Sequence, residues 1–389
     1  MDAKAGARTA IERVEDRLIN LSHRIHAEPE LGFEELRASA WLTDALTDFG
    51  FTVETGVGDL PTAFIARRGD GPLHVAICAE YDALPGIGHA CGHNVIAASA
   101  LGAAVGAAAV ADDVGLTVSV IGTPAEEGGG GKIFLLERGA FDGQHLAMMA
   151  HPAPYDIIDP VIIAAVTMDV RYTGKESHAA AAPELGINAA DALTVAQTAI
   201  GLLRQHIRAS DRVHGIITRG GDAPNIVPAH TEARYMARAE TLESLGDIQT
   251  RVLRCFEAGA LATGATLEVA NVHPPYAHMV HDRALAAAYR ANAEAVGRKF
   301  SDLGAERARF AASTDMGNVS LALPAIHPMV GIGSLPAVNH QPEFAAHCVT
   351  SEADRALMDS AIALAWTAID GATDAALRDR LMRPTGGRR

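Results

Sequence analysis

The sequence predicts an α/β protein with a central mixed β-sheet flanked by helices, interrupted by an inserted ferredoxin-like α+β domain. Three observations predict it. Over the first third of the chain, helix-period and strand-like segments alternate, as they do where helices cover both faces of a sheet. From residue 166 the order becomes strand–helix–strand–strand–helix–strand, that of a ferredoxin-like unit. After residue 279 the chain returns to helices and loops, so residues 1–165 and 279–389 form one discontinuous domain around a 166–278 insertion.

Residues 10–27 and 34–50 read as amphipathic helices, and 51–54 and 63–68 as short strands. The apolar run 74–80 is a buried strand. Residues 95–111 are mostly Ala and Gly, short of the roughly 18–20 strongly apolar residues a membrane span needs. They read as a buried helix packed closely on the sheet. A β-branched strand at 116–122, a helix at 132–139 and a strand at 145–150 complete this part. In the insertion, strands are expected at 166–173, 215–219, 232–239 and 266–272, with helices at 187–207 and 242–263. Beyond it come a helix at 283–296, loop-rich segments carrying Asp315 and His340, and one long helix over 351–381. The tail 383–389, rich in Pro, Gly and Arg, is expected to be disordered.

Composition bounds the function. With 389 residues, 49% hydrophobic and 20% charged, the chain suits an ordinary two-domain globular protein. A net charge of −15 without a Lys/Arg stripe argues against a nucleic-acid partner, though local arginines can still bind an anionic substrate. Cys78, Cys91, Cys255 and Cys348 are scattered without paired spacing, which fits a reducing cytoplasm better than a disulfide framework. Residues 1–21 lack the apolar stretch of a signal peptide, and no membrane association is expected.

The chemistry concentrates in His89-Ala90-Cys91-Gly92-His93-Asn94 and Pro124-Ala125-Glu126-Glu127-Gly128-Gly129. Cys91 and His93, two residues apart at a strand-to-helix turn, suit a zinc-type site with mixed sulfur, nitrogen and oxygen ligands. Adjacent carboxylates allow one to bind metal while the other acts as a general base. Each element also has an ordinary structural reading: a buried thiol, a capped histidine, a solvated acidic turn. His151 can be a strand-end histidine and His340 a surface loop residue. What favours a site is position, since Cys91/His93, Glu126/Glu127 and His151 all follow predicted strands, where chemistry collects in such sheets. The run Gly128–Gly131 is expected as flexible backbone around a site. With Lys132 it invites a phosphate-loop reading that fails, because Glu126 stands where the first glycine belongs and Ile133 follows the lysine. Gly86-Ile87-Gly88 lacks the third glycine of a dinucleotide fingerprint.

These motifs resemble the co-catalytic zinc metallopeptidases that include aminoacylase, carboxypeptidase G, succinyl-diaminopimelate desuccinylase and the auxin-conjugate amidohydrolases. The resemblance runs from His26-Ala27-Glu28-Pro29-Glu30-Leu31-Gly32-Phe33-Glu34-Glu35, through Tyr81-Asp82-Ala83-Leu84-Pro85 and Ser177-His178-Ala179-Ala180, to Asn339-His340-Gln341-Pro342-Glu343-Phe344. It is strongest with the amidohydrolase subfamily that uses a Cys ligand. It implies that the larger domain is catalytic and metal-binding and that the insertion is a lid and dimerisation domain. It implies metal ligands Cys91, His93, Glu127, His151 and His340, holding two divalent ions, zinc foremost, with manganese, cobalt or nickel as alternatives. Glu126 would be the general base, Asp82 a carboxylate that orients a ligand, and His178 the oxyanion-stabilising group, reaching a partner subunit's site in a homodimer. Asn225 and Arg238 would contact substrate. Asn94 stands where many amidohydrolases have Asp, and Ser313-Thr314-Asp315 where many have Ser-Glu-Asp. These variants resemble the branch of β-alanyl-lysine dipeptidase and p-aminobenzoyl-glutamate hydrolase, and shift the expectation to a small dipeptide or N-acyl or N-aroyl amino acid as substrate.

The expected activity is therefore hydrolysis of an amide bond by an activated water that gives its proton to Glu126. A deacetylase or deaminase using the same ions, and a catalytically silent binding relative, are the alternatives. The first is disfavoured by the amino-acid-recognising residues of the insertion, the second by the complete ligand set.

Overall fold

The computed structural model describes residues 2–300 and 311–383, so the tail expected at 383–389 lies, from 384 on, outside the described residues. The chain forms two compact units, Met1–Val161 with Met279–Arg389, and Ile162–His278. It opens with α1 (Ala3–Glu12), α2 (Glu15–Ala27), α3 (Leu36–Asp48), β1 (Thr52–Thr55), β2 (Phe64–Arg68) and β3 (Leu73–Ala79). Then come α4 (His93–Ala108), α5 (Ala111–Val114), β4 (Leu116–Gly122), α6 (Gly131–Glu137), β5 (Leu146–Met148) and β6 (His151–Ala153). The inserted unit holds β7 (Ala164–Thr173), α7 (Ala189–Leu203), β8 (Arg212–Arg219), β9 (His230–Ala239), α8 (Leu242–Thr263) and β10 (Thr266–Asn271). The larger unit resumes with α9 (Arg283–Ala295), α10 (Met316–Ala322), β11 (Ala325–Ile326), β12 (Met329–Gly331), α11 (Pro342–His347), α12 (Ser351–Thr373) and α13 (Ala375–Leu381).

The larger unit is built on a mixed six-stranded sheet in the order β1-β2-β4-β3-β5-β11. β1, β2 and β4 pair antiparallel in turn, whereas β4, β3, β5 and β11 run parallel. Every residue of β4 and all but His74 of β3 are buried, because helices cover the sheet, which is why both strands read as continuous apolar runs. All of α4 is buried between β3 and β4 on one side and α1, α2 and α12 on the other. Its composition makes this approach possible. A Cβ on Gly102 would come 2.8 Å from Leu18 Cδ1 and 2.9 Å from Ala361 Cβ, and one on Gly106 would come 2.5 Å from Ile11 Cδ1. The parallel strands β3, β4 and β5 bring their C-terminal ends to one edge, the edge at which open α/β sheets bind ligands.

The inserted unit has a four-stranded antiparallel sheet in the order β10-β7-β9-β8. Its own core joins Val166, Met168, Val170 and Tyr172 of β7 to Leu193 of α7 and Val252 and Phe256 of α8. Burial alternates along β9, as a half-buried strand requires.

Several expected elements differ. The single helix expected over 10–27 is two, broken at Arg13-Val14, where Glu15 and Asp16 favour a new N-terminus. The helix expected over 351–381 is also two, because the Asp374 carboxylate accepts the amides of Ala376 and Leu377 and starts α13. The strand expected at 145–150 ends at Met148, and His151 opens β6, which pairs parallel with β12 in a separate two-stranded sheet. β11 and β12 are two and three residues long, too short for a hydrophobic period to reveal.

Candidate metal centre

Cys91, His93, Glu126 and Glu127 are delivered by turns at the edge where the parallel strands end, His151 by the first residue of β6 and His340 by the loop before α11. After β3 the chain passes Glu80 and Asp82 and reaches Cys91-Gly92-His93, with Gly92 as N-cap of α4. Gly92 adopts φ 81°, and a Cβ there would lie 2.8 Å from Pro152 Cγ. Glycine is thus required both by conformation and by space between the two expected ligands. After β4, Ala125 takes a left-handed φ of 56° and leads into Glu126 and Glu127. Of the glycines that follow, Gly128 has open space around it, but Gly129 and Gly131 are packed tightly, contrary to the flexibility expected of the run. A Cβ on Gly129 would come 2.5 Å from Ala125 Cβ, and one on Gly131 would come 1.9 Å from the Pro124 carbonyl. His340, also left-handed at φ 68°, is held by its backbone amide on Ala90 O at 2.8 Å.

These segments gather Cys91, His93, Glu126, Glu127, His151 and His340. Cys91 Sγ lies 3.4 Å from His151 Nε2 and 3.6 Å from His340 Nε2. His93 Nε2 is 3.5 Å from Glu80 Oε2, 3.8 Å from Glu126 Oε2 and 4.0 Å from Glu127 Oε1, which is 3.5 Å from His340 Nε2. Four overlapping sets each keep their donor atoms within 4.8 Å: Cys91/His93/His151, Cys91/Glu127/His340, His93/Glu126/Glu127 and Glu80/Glu126/Asp315.

The second nitrogens fix the tautomers. His93 Nδ1 faces only acceptors, Asp82 O and Asp82 Oδ1, each at 2.9 Å, and so carries a proton, which leaves Nε2 as the nitrogen that faces the cluster. His151 Nδ1 donates likewise to Pro152 O at 2.8 Å.

The electrostatics are those of an excess of negative charge. Burial, then Glu80, Glu127 and Asp315, drive Glu126 well above the usual carboxylate range. Burial and the Glu127 and Glu126 charges push the Cys91 thiol well up. Burial pulls His93 down, yet Asp82, Glu80 and Glu127 outweigh it and hold its pKa well above the ordinary histidine value. Burial raises Glu127, but His340 and His93 keep it below its usual range.

This donor set fits a pair of divalent ions. Bonds of about 2.0–2.3 Å around one ion place ligand atoms roughly 3.3–3.7 Å apart, close to the separations found. Among the described residues, the buried atoms Glu80 Oε2 and His93 Nε2 have no hydrogen-bond partner, a state that is costly unless something else satisfies them.

Sequence patterns did not connect Lys132, weighed only for a phosphate loop, with Asp315, marked only as part of a variant motif, yet the two meet in a second buried group in this region. Lys132, wholly buried, places Nζ 2.5 Å from Glu80 Oε1 and 2.7 Å from Asp315 Oδ1, and its backbone amide donates to Asp315 Oδ2 at 2.9 Å. A carboxylate directly after a buried strand, as Glu80 is after β3, is the signal that could have found the group. His178, Asn225 and Arg238 lie in the inserted unit. His178 is exposed, and its Nδ1 accepts the amides of Ala180 and Ala181 at 3.2 and 3.1 Å, so the ring keeps its proton on Nε2. Asn225 is its neighbour across the chain, with Asn225 O accepting the Ala179 amide at 3.0 Å. Arg238 is half-buried on β9, opposite Ala165 and Arg212, and burial lowers its pKa.

An α/β sheet whose strand ends gather Cys, His and paired carboxylates into a dinuclear metal-binding site defines a metal-dependent hydrolase. Residues 76–354 match peptidase family M20/M25/M40, and the chain belongs to that family. It is similar to the Xaa-Arg dipeptidase of Mus musculus, 39% identical over 93% of this chain and 88% of that protein. A p-aminobenzoyl-glutamate hydrolase component of Escherichia coli is 36% identical over 67% of this chain and 58% of that one. Among solved structures, the fold matches a dinuclear metal-binding peptidase of the M20 family from Bacillus subtilis, with TM-score 0.66 and 23% identity over 93% of this chain and 99% of that one. It also matches an aminobenzoyl-glutamate utilization protein from Klebsiella pneumoniae, with TM-score 0.70 and 17% identity over 93% and 98%. Among the described residues no helix is long and apolar enough to cross a membrane.

Proposed function

We propose that this protein hydrolyses the amide bond of a small dipeptide, with N-acyl and N-aroyl amino acids as related substrates. The observation that carries the reading is Glu126, a buried carboxylate beside the donor cluster, 3.8 Å from His93 Nε2. Cys91, His93, Glu127, His151 and His340 would hold two divalent ions, zinc foremost, with manganese, cobalt or nickel able to occupy the same mixed donors. When bound, such ions supply Lewis acidity toward a carbonyl and make water more acidic.

The chain's own residues do the rest. Glu126 takes the proton of the attacking water and passes it to the leaving amine nitrogen. Asp82 holds the His93 Nδ1 proton and so keeps the ring in its donor orientation. His178 offers an Nε2–H donor to the oxygen that gains charge as the carbonyl becomes tetrahedral. Asn225 and Arg238 recognise the amino-acid end of the substrate, the guanidinium through a bidentate pair with its carboxylate.

The relatives named as an Xaa-Arg dipeptidase and a p-aminobenzoyl-glutamate hydrolase support an amide next to a free amino-acid carboxylate. The first of them, together with a net charge of −15 that attracts cations, favours a dipeptide ending in a basic residue. Protein loaded with one metal at a time is expected to release free amino acid from Xaa-Arg or Xaa-Lys dipeptides, N-acyl amino acids or p-aminobenzoyl-glutamate. A chelator should abolish the release. Hydrolysis that survives complete metal removal, or none with any metal, would refute the reading.

The inserted unit, a ferredoxin-like lid in this reading, also pairs two copies of the chain. Its edge strand β8 exposes Ile216 and Ile217, at 64% and 51%. In such a homodimer His178 serves the partner subunit's cluster. Mixing inactive Glu126→Gln and His178→Ala proteins is then expected to restore activity, at about a quarter of wild-type sites by symmetry counting. No recovery after proven subunit exchange would show that His178 does not act across the dimer.

A further inference from the structure

The proposed chemistry leaves unused the run that ends at Glu35. This carboxylate is wholly buried at the start of α3, yet it makes no capping bond to that helix. Its two oxygens point elsewhere. Oε1 accepts the Ala125 amide at 2.8 Å, and Oε2 accepts the Thr62 hydroxyl, also at 2.8 Å. Thr62 is itself buried, and its carbonyl accepts the Tyr81 hydroxyl at 2.6 Å. Among the described residues no cation pairs with Glu35, and burial together with the Asp82 charge pushes its carboxyl up to about 7. A carboxylate in that setting is a poor stabilising device, since a neutral side chain of the same shape avoids the desolvation cost.

What it holds is the peptide that precedes Glu126. Ala125 is left-handed at φ 56° without being glycine, a conformation that persists only where the surroundings over-determine it. Those surroundings are visible. Cβ atoms on Gly32 and Gly129 would come 2.8 and 2.5 Å from Ala125 Cβ, so the loop before α3 and the glycine run close on Ala125 from two sides. The same loop grips the neighbouring strand end, with the Ala83 amide on Glu30 O at 2.8 Å. Further along the turn, Asp82 Oδ2 takes the Glu127 amide and Asp315 Oδ2 the Lys132 amide, each at 2.9 Å. Of the three carboxylates that fasten this turn, Glu35 alone lies outside the four donor sets and the ligand-orienting pair.

We propose that Glu35 is a positioning residue for Glu126, holding the left-handed Ala125 peptide so that the next side chain is presented to the reacting atoms. The proposal rests on Glu126 being the general base.

Glu35→Ala is expected to lower kcat by about 10- to 100-fold, the effect of a catalytic group displaced by about 1 Å, with KM and bound metal unchanged. Glu35→Gln, whose amide oxygen can still accept the Ala125 N–H, should recover most of the loss. In a Glu126→Gln background Glu35→Ala should cause no further fall, because its effect passes through the missing carboxylate. Should Glu35→Ala not fold, Thr62→Val frees one Glu35 oxygen at constant shape and must still lower kcat at unchanged KM. Wild-type kcat in Glu35→Ala, or in Thr62→Val where Glu35→Ala does not fold, would overturn the proposal. So would an equal fall in the Glu126→Gln background, or a loss that tracks metal content. A fully active Glu126→Gln enzyme would overturn the base assignment and this proposal with it. An inactive Glu126→Gln beside an unaffected Glu35→Ala would overturn this proposal alone.

Discussion

Replacing Glu126 by Gln is expected to lower kcat by at least ~10²-fold, the lower end for loss of a general base, while both metal equivalents stay bound. The amide keeps the shape of the carboxylate but cannot take a proton. Glu127, one residue on, is the proposed ligand, 3.5 Å from His340 Nε2 and 4.0 Å from His93 Nε2. The two carboxylates differ in surroundings as well as position. Burial and three neighbouring carboxylates push Glu126 toward holding a proton, whereas His340 and His93, working against burial, keep Glu127 ionised. Kinetics and metal analysis on Glu126→Gln and Glu127→Gln separate the roles. If Glu126→Gln loses an ion and Glu127→Gln keeps both, the assignment is reversed.

Lys132→Met is expected to destabilise the protein by about 3–5 kcal/mol, the usual result of removing one partner from a buried charge group. Nζ sits between Glu80 and Asp315, and all three side chains are wholly buried. Burial lowers the lysine pKa, but Asp315 and Glu80 outweigh it and hold it well above the ordinary value, so the ammonium stays charged through the neutral range. Without it two carboxylates remain in a low-dielectric space beside Glu126. Adding Asp315→Asn to Lys132→Met removes one of those charges and should recover part of the loss, which denaturant unfolding of the single and double variants would measure. A single variant within about 0.5 kcal/mol of wild type, the range of a neutral surface change, would show that the triad contributes little.

Those parts of the protein that depend on neighbours along the chain are legible in the order of its residues. Alternating periods announced the sheet and its helices, and α8 falls at the residues where the period placed it. Cys91-Gly92-His93 and Glu126-Glu127 were legible because each is a short turn whose geometry is local, with Gly92 supplying the left-handed step. Tertiary structure alone decided what those turns face. His151 reaches Cys91 through the parallel pairing of β6 with β12, and His340 arrives from 249 residues away. Lys132 resembles part of a failed phosphate loop, yet it closes a buried triad with Asp315, 183 residues distant, which the sequence marks only as part of a variant motif. Glu35 is tied to Ala125 across 90 residues. Hydrophobic periodicity records which face of an element is covered, and a charged residue reads as solvent-facing by default. Whether a distant opposite charge, or a backbone amide, waits to receive it depends on how strands are ordered and helices packed, which no local window contains.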